Sequence, residues 1–274
     1  MPNMRFDGKV AIVTASTDGI GFAIAKRLAQ EGAKVVISSR NKRNVDKAVA
    51  QLSKDGLGQS VVGIVCHVAK EEDRTRLFNE AINIGGLDIL ISNAAVNPSV
   101  APFHYCTEKE WDKIFEVNVK ASFLLSKAAV PFFRKRGGGR IVFLSSISGQ
   151  RHYKVTIAFT KEYILFAFTN DEFSIQFYSS LQYMSVYGVS KTALFGLTKA
   201  LSLDVANDKI TVNCIAPGII QTNFVKRVSL IFIARNVVGT TEEIATVAAF
   251  LASDDSCYIT GEIITVSGGI HSRL

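Results

Sequence analysis

The sequence predicts a doubly wound α/β fold, one parallel sheet of seven strands with helices on both faces. Short β-branched runs alternate with stretches of helical periodicity along the whole chain. Each strand is followed by enough residues for a helix, and such βαβ units build a parallel sheet of one hand. No internal repeat and no linker divides the 274 residues, so the chain reads as a single domain over 1–274.

The first strand is expected over 9–14 (KVAIVT), an apolar run of the kind that is buried. A helix follows over 19–31, with Ile20, Ile24 and Leu28 on one side, and Gly32 ends it. Residues 34–38 (KVVIS) make the second strand, followed by a polar helix to about Asp55. Further strands are expected over 60–65, 87–92, 140–144, 210–215 and 262–266, with long helices over 108–133 and 185–207. One stretch does not fit. Residues 151–178 carry five of the 18 Phe and three of the 7 Tyr, with no Gly or Pro, where an α/β unit normally has a short loop.

Composition removes several function classes. With 48% hydrophobic residues the chain is not disordered. Its four cysteines (Cys66, Cys106, Cys214, Cys257) are far apart, which argues against a disulfide scaffold or a cysteine zinc site and for a reducing compartment. The four histidines offer no i, i+4 pair, so no metal is expected. No apolar run has the length of a membrane span, and residues 1–9 lack the core of a secretory signal. The net charge of +7 favours an anionic partner. The tightest basic cluster, Arg134, Lys135, Arg136 and Arg140, reads as a solvated helix end, and no aromatic–basic interleaving suggests nucleic acid. A small phosphate-bearing molecule suits the sign better.

The first strand runs into Thr14-Ala15-Ser16-Thr17-Asp18-Gly19-Ile20-Gly21 and then a helix. Such a turn lets backbone approach a pyrophosphate, which a helix N-terminus attracts. The second strand ends Ser38-Ser39-Arg40. An NAD site would place an acid there for the ribose, whereas Ser39 and Arg40 suit the 2′-phosphate of NADP. Farther on, Tyr187 and Lys191 lie one helical turn apart. A neighbouring ammonium is expected to lower the tyrosine pKa and so equip the phenol for proton transfer to or from an alcohol.

Further elements stand in matching order: Asn93-Ala94-Ala95 after strand four, Asn118 in a helix, Ser145-Ser146 ending strand five, and Pro217-Gly218 closing strand six. With the 14–21 turn, Tyr187 and Lys191, they make the chain resemble the short-chain dehydrogenase/reductases. The resemblance implies a Rossmann-like fold and NADPH-dependent reduction of ketones or aldehydes, including retinal-like carbonyls. It implies Tyr187 as general acid, Ser146 on the carbonyl oxygen, Lys191 on the nicotinamide ribose, and Asn118 holding a water behind Lys191. It further implies Thr14, Ser16, Gly19, Ile20 and Gly21 around the pyrophosphate, and Ser39 and Arg40 at the 2′-phosphate. Val68 would border the adenine, Asn93 the adenosine ribose, and Ile220 and Thr222 the nicotinamide amide. The family's members imply a homotetramer in the peroxisome, with the cytoplasm as the alternative location. Ser272-Arg273-Leu274 resembles a peroxisomal import signal read by a receptor.

Three departures from the family pattern are Ala15 and Ala95 in place of glycines and His67 in place of an aspartate. Residues 151–178 form an atypical insertion: deleting them restores the family's Ser-to-Tyr spacing. A retained intron and a genuine lid over the pocket both fit that observation. The stretch 221–239 is shorter than the family's substrate loop. Together these alterations raise an alternative function, a catalytically impaired chain that still binds NADPH.

Overall fold

The computed structural model describes residues 4–98, 103–150, 185–222 and 238–269, together with the backbone of two strands at 155–159 and 164–168. In chain order the elements begin with β1 (Val10–Val13), α1 (Gly19–Gln30), β2 (Lys34–Ser39), α2 (Lys42–Lys54) and β3 (Val61–Val65). Next come α3 (Glu71–Asn83), β4 (Ile89–Ser92), α4 (Glu108–Phe115), α5 (Ala121–Arg136) and β5 (Gly139–Leu144). Then follow β6 (Val155–Phe159), β7 (Ile164–Phe168), α6 (Ser185–Asp204), β8 (Ile210–Pro217), α7 (Thr241–Ala252) and β9 (Ile263–Val266).

Seven of these strands form one sheet in the order β3-β2-β1-β4-β5-β8-β9, parallel throughout. The fold is therefore the Rossmann-like doubly wound sheet that the alternating pattern predicts. Successive side chains of β1 part to opposite faces, as a strand requires. Ala11 and Val13 pack with Ile24, Leu28 and Ala248 in one apolar layer, while Val10 and Ile12 join Leu77, Leu125 and Phe143 in the other. Strand order reverses between β1 and β4. A crevice outside the carboxyl ends of the strands at such a reversal is where α/β sheets bind ligands.

Two elements differ from the sequence expectation. The helix expected over 108–133 is three pieces: α4, a π-helical turn at Glu116–Lys120, and α5. Thr107 and Glu110 start α4 with a reciprocal capping box. Apolar periodicity does not register a single π turn, because the face advances by only one extra residue. Asn118 sits in that turn. The second difference is inside 151–178, where β6 and β7 pair antiparallel as a separate sheet. The other residues of that insertion lie outside the described ones. Among the described residues, no helix is long and apolar enough to cross a membrane, and no cluster of His, Cys, Asp or Glu has metal-site geometry.

Candidate active site

The turn after β1 is fixed to both neighbouring strands. The buried Thr14 hydroxyl donates to the Ile91 carbonyl at 3.4 Å and accepts from the backbone N–H of Asn93 and Ala94 at 3.0 and 3.1 Å. Asn93 Nδ2 returns two bonds, to the carbonyls of Thr14 and Ala15, each at 3.0 Å. Ser16 Oγ donates to the Val13 carbonyl and accepts from Ser38 N–H. The side chains of Thr14, Ser16 and Asn93 are thus spent on backbone, and they shape the turn. Gly21 is compulsory here: a Cβ on it would lie 2.5 Å from Asn93 Nδ2 and 2.6 Å from the Ala15 carbonyl oxygen. Ala15 itself holds a left-handed φ of +49°, a conformation that suits the glycine it replaces.

Thr222 stands over the start of α1, since a Cβ on Gly19 would be 3.6 Å from its methyl group. Ile220 is buried and bridged to Gly239. At the outer end of the crevice, β2 finishes in half-buried Ser39, and exposed Arg40 follows it. After β3, burial, reinforced by the positive fields of Lys113 and Arg40, holds His67 below the ordinary histidine value. Its Nδ1 accepts from Ala69 N–H, and buried Val68 offers its carbonyl to Arg74. The residues fit a dinucleotide: a helix N-terminus with no acid in its first turn, no side chain at 19 or 21, and Arg40 and Lys113 near His67 after β3. Exposed Asp18, which caps α1 by accepting Gly19 N–H, runs against the sign.

The second half of the site is built on β5 and α6. Ser145 Oγ donates to the Lys191 carbonyl at 2.8 Å, and Thr192 Oγ1 donates to the Gly149 carbonyl at 2.7 Å. Gly149 permits this approach, because a Cβ there would meet Lys191 backbone at 2.8 Å. These contacts tie the Ser146 turn to the helix of Tyr187, although the insertion separates them in the chain. Ser146 Oγ accepts from Ser148 N–H at 3.1 Å. Asn118 Oδ1 accepts from Val96 N–H at 2.8 Å, while its Nδ2 donates to the Val96 carbonyl and to Ser190 Oγ, both at 3.0 Å. Ser190 Oγ in turn donates to the Tyr187 carbonyl at 2.6 Å. Sequence reasoning passed over Ser145 and Ser190, although both stand inside the motifs it quoted.

Lys191 is buried, and its Nζ donates to the Leu144 carbonyl at 2.8 Å while standing 5.4 Å from the Tyr187 ring centroid. Burial lowers its pKa to about 8, with the nearby Cys214 thiol opposing. Burial also pushes the Tyr187 phenol above its ordinary value. The expected lowering of that phenol by Lys191 is not met in this geometry, for a physical reason: the ammonium is bonded to a carbonyl and meets the ring.

A family model described as short chain dehydrogenase matches residues 9–160, and one described as Enoyl-(Acyl carrier protein) reductase matches residues 174–271. The chain is 48% identical to Dehydrogenase/reductase SDR family member 4 of Oryctolagus cuniculus, over 97% of this chain and 95% of that one. It is 47% identical to the Homo sapiens protein of the same name, over 97% and 88%. Tropinone reductase-like 3 of Erythroxylum coca is 44% identical, over 100% of this chain and 97% of its own. A likeness of this depth along nearly the whole chain has one meaning: the protein belongs to the short-chain dehydrogenase family and is an oxidoreductase that works with a nicotinamide cofactor.

Proposed function

We propose that the protein reduces ketones and aldehydes, retinal-like carbonyls among them, with NADPH. The observation that carries this reading is the tie of the Ser145-Ser146 turn to α6 through Lys191 and Thr192, which holds two candidate catalytic hydroxyls on one rigid unit. When bound, reduced nicotinamide supplies the hydride. Ser146 Oγ donates a hydrogen bond to the substrate oxygen, and Tyr187 delivers its proton there as the alkoxide forms. A phenol raised by burial stays protonated at neutral pH, which suits an acid in reduction. Lys191 holds the nicotinamide ribose. Asn118 acts as a positioning residue, its carboxamide committed to Val96 and Ser190.

NADP is favoured over NAD by Ser39 and Arg40, with Lys113 adding to the positive field at His67. Gly19, Ile20 and Gly21 would line the pyrophosphate, Val68 the adenine, Asn93 the adenosine ribose, and Ile220 and Thr222 the nicotinamide amide. Residues 151–178 are an addition to one domain, and 161–173 within them fall between the two family models that match the chain. A homotetramer agrees with apolar side chains left exposed on α4, α5 and α6, such as Trp111, Phe123 and Leu203, the last 80% exposed. Peroxisomal import through Ser272-Arg273-Leu274, which lie outside the described residues, belongs to the same reading.

The test is consumption of NADPH and of NADH with an aromatic ketone. Faster turnover with NADPH supports the reading. Tight NADPH binding without consumption would support the impaired alternative, which the insertion and the short 221–239 stretch favour.

A further inference from the structure

We propose that the Asn97 carboxamide binds substrate and selects carbonyl compounds that carry a hydroxyl beside the reacting carbonyl. The inference rests on the carbonyl-reductase reading above. Asn97 lies near the end of the loop that leaves β4. The loop begins at Asn93, bonded to the glycine turn, and reaches Val96, whose N–H and carbonyl are both held by Asn118. Asn118 also bonds Ser190, which bonds the Tyr187 carbonyl. The loop therefore runs from the cofactor turn toward the helix of the catalytic tyrosine, and Asn97 is the first residue past that anchorage. Pro98 follows and restricts its backbone to extended conformations.

The Asn97 side chain is unlike its neighbours. Its Nδ2 and Oδ1 are both out of solvent contact, and neither has a hydrogen-bond partner among the described residues. Asn93, Asn118 and Asn213 all have bonded carboxamides. A buried amide without partners destabilises a fold, and functional positions are one place where natural chains keep such a conflict. A carboxamide offers donors on nitrogen and an acceptor on oxygen. With both unpaired, the complementary group is one that accepts and donates together. A hydroxyl does so, taking a bond from Nδ2 and giving one to Oδ1, while Ser146 and Tyr187 hold the adjacent carbonyl oxygen.

The test compares wild type, Asn97→Ala and Asn97→Ser on α-hydroxyacetophenone and acetophenone, with NADPH affinity and Tm measured on the same samples. For Asn97→Ala we expect roughly a tenfold or greater loss of kcat/KM on the hydroxy ketone and less than about threefold on acetophenone. NADPH affinity should hold, Tm should stay level or rise, and the shorter hydroxyl of Asn97→Ser should restore part of the selectivity. Equal losses on both ketones with a lower Tm would show a structural amide and overturn the proposal. Weakened NADPH binding without a change in selectivity would overturn it as well. A Tyr187→Phe control separates the two levels: if it is inactive while Asn97→Ala discriminates nothing, only the Asn97 assignment fails. If wild type turns over neither ketone, or Tyr187→Phe keeps full activity, the carbonyl-reductase reading fails and this proposal with it.

Discussion

The proposed cofactor turn and the proposed chemistry end of the site both lie at the carboxyl ends of the sheet's interior strands, yet they use polar atoms in opposite ways. At the turn, Thr14, Ser16 and Asn93 are bonded to backbone on several sides, and Ser38 Oγ is an exception in having no partner among the described residues. At the chemistry end, Asn97 has no partner among the described residues, Lys191 holds a buried ammonium on one carbonyl, and the Tyr187 phenol is shifted by burial. Saturated bonding makes the first region a rigid cradle. Incomplete bonding at Asn97 and Lys191 leaves the second, in the reading proposed above, with groups that a ligand would satisfy, at a cost in stability.

Breaking the rigid side should have the larger effect. Gly21→Ala forces a methyl group between Asn93 and Ala15, where no space exists. It should destabilise the fold by about 1–3 kcal/mol in urea titration and weaken NADPH binding by roughly tenfold or more in calorimetry. An unaltered affinity would show that the turn is not the cofactor's seat.

At the chemistry end, the handle is pH. Below about 8 both the folded and unfolded chains carry the Lys191 proton. Between there and the ordinary lysine value only the unfolded chain carries it, so this group makes stability rise with pH across that window. Reductase activity should move the other way and fall as the ammonium is lost. Lys191→Met should flatten the stability rise, measured as Tm against pH. A wild type whose Tm responds no differently from the Met variant between pH 8 and 10.5 would contradict a buried ammonium here.

The smallest expected effect sharpens the comparison from the rigid side. Ala15 holds φ +49°, and Ala15→Gly should relieve that strain and gain about 1 kcal/mol, read as a higher denaturant midpoint. A loss of stability would mean that the alanine methyl makes packing contacts worth more than the strain.

Much of the sheet was legible because its strands are β-branched runs such as KVAIVT and KVVIS, and long helical spacers leave few ways to connect them. The Tyr187–Lys191 spacing was legible for the same local reason. The direction of the Tyr187 shift was not, because it depends on burial and on where the ammonium points, and neither is a property of spacing. The role expected for Asn118, a water behind Lys191, also came from resemblance. What spacing could not show is that the π turn aims its carboxamide at Val96 and Ser190. Asn97 stands two residues beyond the Asn93-Ala94-Ala95 motif with nothing in the sequence to mark it, since an unpaired amide exists only after tertiary packing.

The most direct measurement of the central claim, that Tyr187 gives the proton to a reduced carbonyl, compares kcat of Tyr187→Phe and wild type with NADPH and an aromatic ketone. The expected fall is about a hundred- to ten-thousand-fold, with NADPH affinity preserved. A Phe variant that binds NADPH equally well and turns over within a few-fold of wild type would contradict it.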